Sequence, residues 1–63
     1  MCEFSVVLGG KKVFEDVIYA KADGNKVTLK DVLGASKVLE NCKITEINVG
    51  SERLVLSSIE ASR

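Results

Sequence analysis

The start of the chain carries the groups with the most chemistry to offer. At Met1-Cys2-Glu3 an α-amine, a backbone amide nitrogen and a thiol lie within one or two residues of each other, close enough to chelate one ion. Nitrogen and thiolate donors in a nearly planar array suit Ni(II) or Cu(II), whereas magnesium and calcium need oxygen shells that this segment lacks. Cysteine is small enough at position 2 to permit removal of Met1, which would make Cys2 itself the α-amino residue. One such terminus leaves a metal shell incomplete. Two of them across a twofold axis would complete four positions, and a C2 homodimer is the commonest oligomer. Protons compete for the thiol (ordinary pKa about 8.5) and the amine (about 7.7–8.0), so binding there should weaken as pH falls. The competing reading of Cys2 is a small apolar side chain on the core side of a strand, in register with Phe4, Val6 and Leu8.

Other candidate groups lead to plainer readings. Cys42 lies forty residues from Cys2, outside the Cys-x-x-Cys spacing of a zinc ribbon, and reads as a buried or half-buried structural thiol. The chain has no histidine, which removes the common acid–base arrangements and most zinc sites. Glu15 and Asp16 are adjacent on an extended segment, so they should point to opposite faces and cannot act as an acid–base pair. Gly9-Gly10 lacks the spacing of a phosphate-binding loop. No catalytic machinery is visible, and the chain is not expected to be an enzyme. RNA binding is the alternative function, resting on Lys11, Lys12, Lys21, Lys26, Lys30, Lys37 and Lys43, but only Phe4, Phe14 and Tyr19 could stack on bases.

The elements that must position these residues are strands. From Cys2 to Leu8 the apolar residues alternate, and Gly9-Gly10 supplies the positive φ that a hairpin turn demands. A second strand is expected over Val13–Ala20, a turn at Asp23-Gly24-Asn25, and a third strand over Lys26–Asp31 with Val27 and Leu29 inward. The alternation breaks at Val32-Leu33-Gly34-Ala35-Ser36. Lys37–Glu40 is a short strand, Glu40-Asn41-Cys42 a turn or bulge, and a helix over Leu33–Leu39 would be too short to prefer. Lys43–Val49 and Arg53–Ile59 complete the set around a turn at Gly50-Ser51-Glu52, and the last four residues are expected to fray. Five or six short strands with no proline and no long helix predict an all-β fold, a small barrel or rolled sheet, as a single domain spanning 1–63.

Composition sets the remaining bounds. At 63 residues the core must be thin, since such a domain buries only about 60% of its unfolded surface, and self-association is expected. Nine basic against nine acidic side chains give no net field to attract an anionic membrane or nucleic acid. No apolar run approaches the roughly 18 residues of a membrane span, and the N-terminus lacks the pattern of a secretory signal, so a cytoplasmic location with reduced thiols is expected.

The opening Met1-Cys2-Glu3-Phe4, the segment Val13-Phe14-Glu15-Asp16-Val17, the run from Val27 to Gly34 and the later Ile44-Thr45-Glu46-Ile47 together resemble the CooT family. The likeness covers nearly the whole chain, with Met-Cys its most specific element and Asp31-Val32-Leu33-Gly34 the next. These are short proteins associated with nickel insertion into carbon monoxide dehydrogenase, and the wider family has also been labelled predicted RNA-binding. The resemblance implies an Sm-like or SH3-like barrel, a homodimer, and Ni(II) held through Cys2 with nearby backbone nitrogen for a client nickel enzyme. Cys42 falls outside the resembling motif.

Overall fold

The computed structural model describes residues 3–59, all of whose regular structure is β. Six strands follow in chain order: β1 (Phe4–Leu8), β2 (Lys11–Asp23), β3 (Lys26–Asp31), β4 (Ser36–Glu40), β5 (Cys42–Asn48) and β6 (Arg53–Ser58). They form one sheet in the order β4-β3-β2-β1-β6-β5, in which every pairing is antiparallel except that of β1 with β6. No helix among the described residues is long and apolar enough to cross a membrane.

Turn chemistry fixes the hairpins where the sequence placed them. Leu8 pairs with Lys11 across Gly9-Gly10, whose φ values of 61° and 82° match a type I′ turn that a side chain would strain. Asp23 pairs with Lys26, so the loop is Gly24-Asn25. Only Gly24 has positive φ there (63°), the pattern of a type II′ turn.

β2 is longer than its apolar stretch suggests, extending the expected Val13–Ala20 by polar residues at both ends. Its register slips between Phe14 and Val17 and between Lys12 and Phe14 against β1, and again between Val17 and Tyr19 against β3. Each slip leaves an extra residue on β2, and each such bulge adds bend and twist. The bent strand pairs with β1 through its first half and with β3 through its second, which rolls the sheet around its apolar face.

The roll brings the two edge strands together at one corner. Asn41 alone connects β4 to β5, in the left-handed region at φ 58°, and the Cys42 amide donates to the Asn25 carbonyl at 3.1 Å. The sheet is rolled but not hydrogen-bonded shut, since β4 and β5 each keep a free edge. Val6, Val17, Val27, Leu29, Cys42, Leu54 and Leu56 are buried inside, with Phe4, Leu8, Val13, Phe14, Leu39 and Ile44 packed around them. All six strands contribute. The inward assignments of Val27 and Leu29 agree with the structure, and Leu54 and Leu56 are buried on one face of β6. Cys42 differs in its element: it is the first residue of β5 rather than part of a turn, because the left-handed Asn41 completes the change of direction in one step.

Candidate functional site

Cys2, the sequence's candidate metal ligand, lies outside the described residues, and the site is built from the elements that lead to it. Glu3 is exposed and Phe4, the first residue of β1, is half-buried over the core. Phe4 pairs with Val17 of β2, which pairs with Asp31 of β3. On the other side Ser5 pairs with Arg53 of β6, which pairs with Asn48 of β5. One cross-strand row, Asn48–Arg53–Ser5/Phe4–Val17–Asp31, therefore traverses five strands at the point where the chain enters the fold.

Apolar surface gathers along that row. Seven large hydrophobic side chains are exposed among the described residues, and six of them, Ile18, Tyr19, Val32, Leu33, Ile47 and Val49, lie within two residues of it. Between β2 and β5, Ile18, Tyr19 and Ile47 rim an open apolar groove whose floor is the buried pair Val17 and Leu54, with Phe4 at its side. Lys30 covers the Tyr19 ring, its ammonium 5.0 Å from the centroid.

Beyond Asp31 the row continues into a rigid turn. The Asp31 carboxylate Oδ1 accepts from the amides of Leu33 (3.0 Å) and Ala35 (2.9 Å), and its carbonyl accepts from Gly34 (3.1 Å). Gly34 sits at φ 92°. The Val32 amide donates to the Asp16 carbonyl at 2.9 Å, which ties the turn to β2. The sequence shows only a break in alternation here. The missed signal is an aspartate three residues before a glycine, a spacing at which one carboxylate can bind the following amides and close a turn.

Cys42 is remote from this row. It pairs with Ser58 at the opposite end of β5 from Asn48, roughly 20 Å along the strand at about 3.3 Å per residue. The thiol is 1% exposed, donates to the Leu39 carbonyl at 3.5 Å, and burial pushes its pKa up. It is a packing residue, as expected from the sequence. Glu15 and Asp16 do not simply alternate as expected: Asp16 occupies a bulge at φ 59°, and both residues border one shallow notch with Asp31. Glu15 makes an exposed ion pair with Lys12 at 3.0 Å, and Asp31 is occupied with its turn. Among the described residues no three His, Cys, Asp or Glu side chains stand together as a metal site. Of the aromatic residues that could stack on bases, Phe4 and Phe14 are half-buried, and Lys37 lies 5.7 Å from the Phe14 centroid while reaching the Val13 carbonyl at 3.4 Å.

The family model described as CO dehydrogenase accessory protein CooT matches residues 1–57, which takes in Met1-Cys2, the whole of the row and the Asp31–Gly34 turn. The chain belongs to the CooT family. No curated protein matches it in sequence. CooT membership carries a role accessory to CO dehydrogenase, a nickel enzyme, and so a partner protein and a relevance to nickel. The CooT fold as seen here is a rolled six-stranded sheet that sets its apolar row beside the start of β1.

Proposed function

We propose that this CooT protein holds Ni(II) through Cys2 in a cytoplasmic homodimer and delivers it to CO dehydrogenase. The observation that carries the reading is the coincidence of the exposed apolar row with the start of β1, two residues of chain from Cys2. A second copy seated on the groove of Phe4, Ile18, Tyr19 and Ile47 would cover that part of the row and draw two Cys2 segments towards one axis. The donor chemistry is consistent with this. The chain has no histidine, Cys42 is buried with its thiolate disfavoured, and the described carboxylates form no cluster. The Cys2 thiolate and nearby main-chain nitrogen supply a sulfur and nitrogen donor set, which favours Ni(II) over oxygen-seeking cations.

Nickel here is cargo, so the site must both bind and release. A shell completed only by two chains does this naturally, because either the departure of one protomer or protonation of a thiolate opens it. Anaerobic titration with Ni(II) is expected to give a thiolate-to-nickel charge-transfer band at one nickel per two chains, lost in Cys2→Ser and kept in Cys42→Ala. The band should fade as pH is lowered through the thiol and amine pKa values. An unchanged band in Cys2→Ser would refute the assignment. Native mass spectrometry of the same samples reads dimer mass, bound metal and Met1 removal together. RNA binding has less support: the net charge is zero, and the exposed ring of Tyr19 is covered by Lys30.

A further inference from the structure

Leu33 is the most exposed large hydrophobic side chain among the described residues, at 90%, and it stands on the most tightly tied turn. Two bonds from the Asp31 carboxylate, the Gly34 amide to the Asp31 carbonyl, the Asp31 amide to the Ala35 carbonyl at 2.9 Å, and the Val32 amide to Asp16 hold five consecutive residues. An apolar side chain held in water by a fixed backbone is already ordered for binding. Its partner need not supply the entropy of arranging the loop. Val32 is exposed beside it, and so is the neighbouring Asp16, which has no ion-pair partner among the described residues, whereas Glu15 is paired with Lys12.

We propose that the β3–β4 turn is the docking anchor for the protein that CooT serves, with Leu33 inserting into an apolar pocket rimmed by lysine or arginine on that protein. This rests on the accessory role proposed above. The placement suits delivery, because Asp31 lies two strand spacings, about 10 Å, from Phe4 along the shared row. A partner gripping Leu33 would therefore face the segment that carries Cys2. The Asp16 carboxylate would repel a pocket edged with carboxylates, which gives the contact selectivity as well as hold.

The test uses the full chain immobilised against nickel-free CO dehydrogenase from the same source. Wild type should bind, more weakly as salt rises. Leu33→Ser should lose at least about tenfold in affinity, as removal of a central anchor does, while Leu33→Met should stay within about threefold. Asp16→Asn, which keeps a residue tolerant of positive φ, should weaken binding and flatten the salt dependence. Leu33→Ser should leave the nickel band and the native mass as they are in wild type. Binding of Leu33→Ser at wild-type strength, or no binding by wild type, overturns the proposal. So does a native mass altered in Leu33→Ser, which would assign the turn to a second copy. Cys2→Ser separates the two readings: loss of nickel with docking intact supports both, whereas nickel binding unaffected by Cys2→Ser beside a Leu33-dependent contact removes the nickel assignment and leaves the docking anchor standing.

Discussion

A thiol sealed from water behaves as a small hydrophobe, and Cys42 fits that description more closely than it fits any reactive role. Its side chain belongs to the buried cluster with Val27, Leu29 and Leu56, and its S–H reaches the Leu39 carbonyl. Burial raises its pKa, so the fold favours the neutral thiol. The unfolded chain releases that proton at an ordinary thiol pKa, about 8.5, while the folded chain retains it to higher pH. The unfolded state then binds fewer protons, and stability falls with rising pH from the ordinary thiol pKa up to the raised one. Urea unfolding between pH 7 and 10 should show this decline in wild type and a shallower one in Cys42→Ala. The variant should also lose about 1–2 kcal/mol at pH 7 through the small cavity it leaves. Equal slopes in the two proteins would show that another group sets the alkaline limit. The burial of Cys42 was legible only through the general preference of free cysteine for the interior, since its neighbours Glu40, Asn41 and Lys43 are polar and it lies in a turn-like stretch.

At the scale of elements, the connection between β4 and β5 carries unusual demands for one residue. Asn41 must adopt φ 58°, accept the Ile59 amide at 2.8 Å through its carbonyl, and take a 3.3 Å bond from the Asn25 side chain through Oδ1. Asparagine tolerates the left-handed region better than other residues bearing a side chain, and β-branched residues tolerate it worst. Asn41→Gly should therefore change stability by less than about 1 kcal/mol, while Asn41→Val should cost about 1–3 kcal/mol from backbone strain and the lost side-chain bond. Paired urea denaturation curves check the difference, and comparable losses in both would place the importance of Asn41 in its side-chain bond instead. This junction also explains what the sequence did and did not disclose. Gly9-Gly10 and Gly24 announce their turns because glycine is the residue that such φ values favour. Asn41 and Asp16 perform similar bends without glycine. The bulges of β2 therefore stayed hidden, and with them its full length and the bend that rolls the sheet. The candidate site divides in the same way: Cys2 stands out by residue type, whereas the apolar row exists only once five strands are in register.

For the molecule as a whole, the decisive fact is that its exposed apolar side chains are not scattered. Isolated exposed hydrophobics are ordinary on any protein, but a contiguous set marks a surface that another protein covers. Among the described residues seven hydrophobic side chains are buried, and three of the six exposed along the row, Ile18, Tyr19 and Ile47, share one groove. Association through this surface would supplement a core that small size keeps thin. Ile47 is the most informative position in the groove because it is 61% exposed and outside the buried cluster, so a charge there should leave the monomer folded. In Ile47→Glu the carboxylate would have to be desolvated against Phe4 and Leu54 of a second copy, or stay hydrated and hold the copies apart. Sedimentation at about 50 μM is expected to show a dimer for wild type and a monomer with an unchanged circular dichroism spectrum for Ile47→Glu, if about 1.4 kcal/mol or more of association energy, a tenfold or greater loss in affinity, is removed. Nickel should then bind more weakly and no longer at one per two chains, because a single terminus cannot close the shell. Persistence of the dimer in Ile47→Glu would move the twofold interface off this groove and leave the Cys2 assignment to its own titration. Loss of the dimer with nickel binding untouched would instead show that one terminus is enough, and that pairing of the copies serves the client and not the metal.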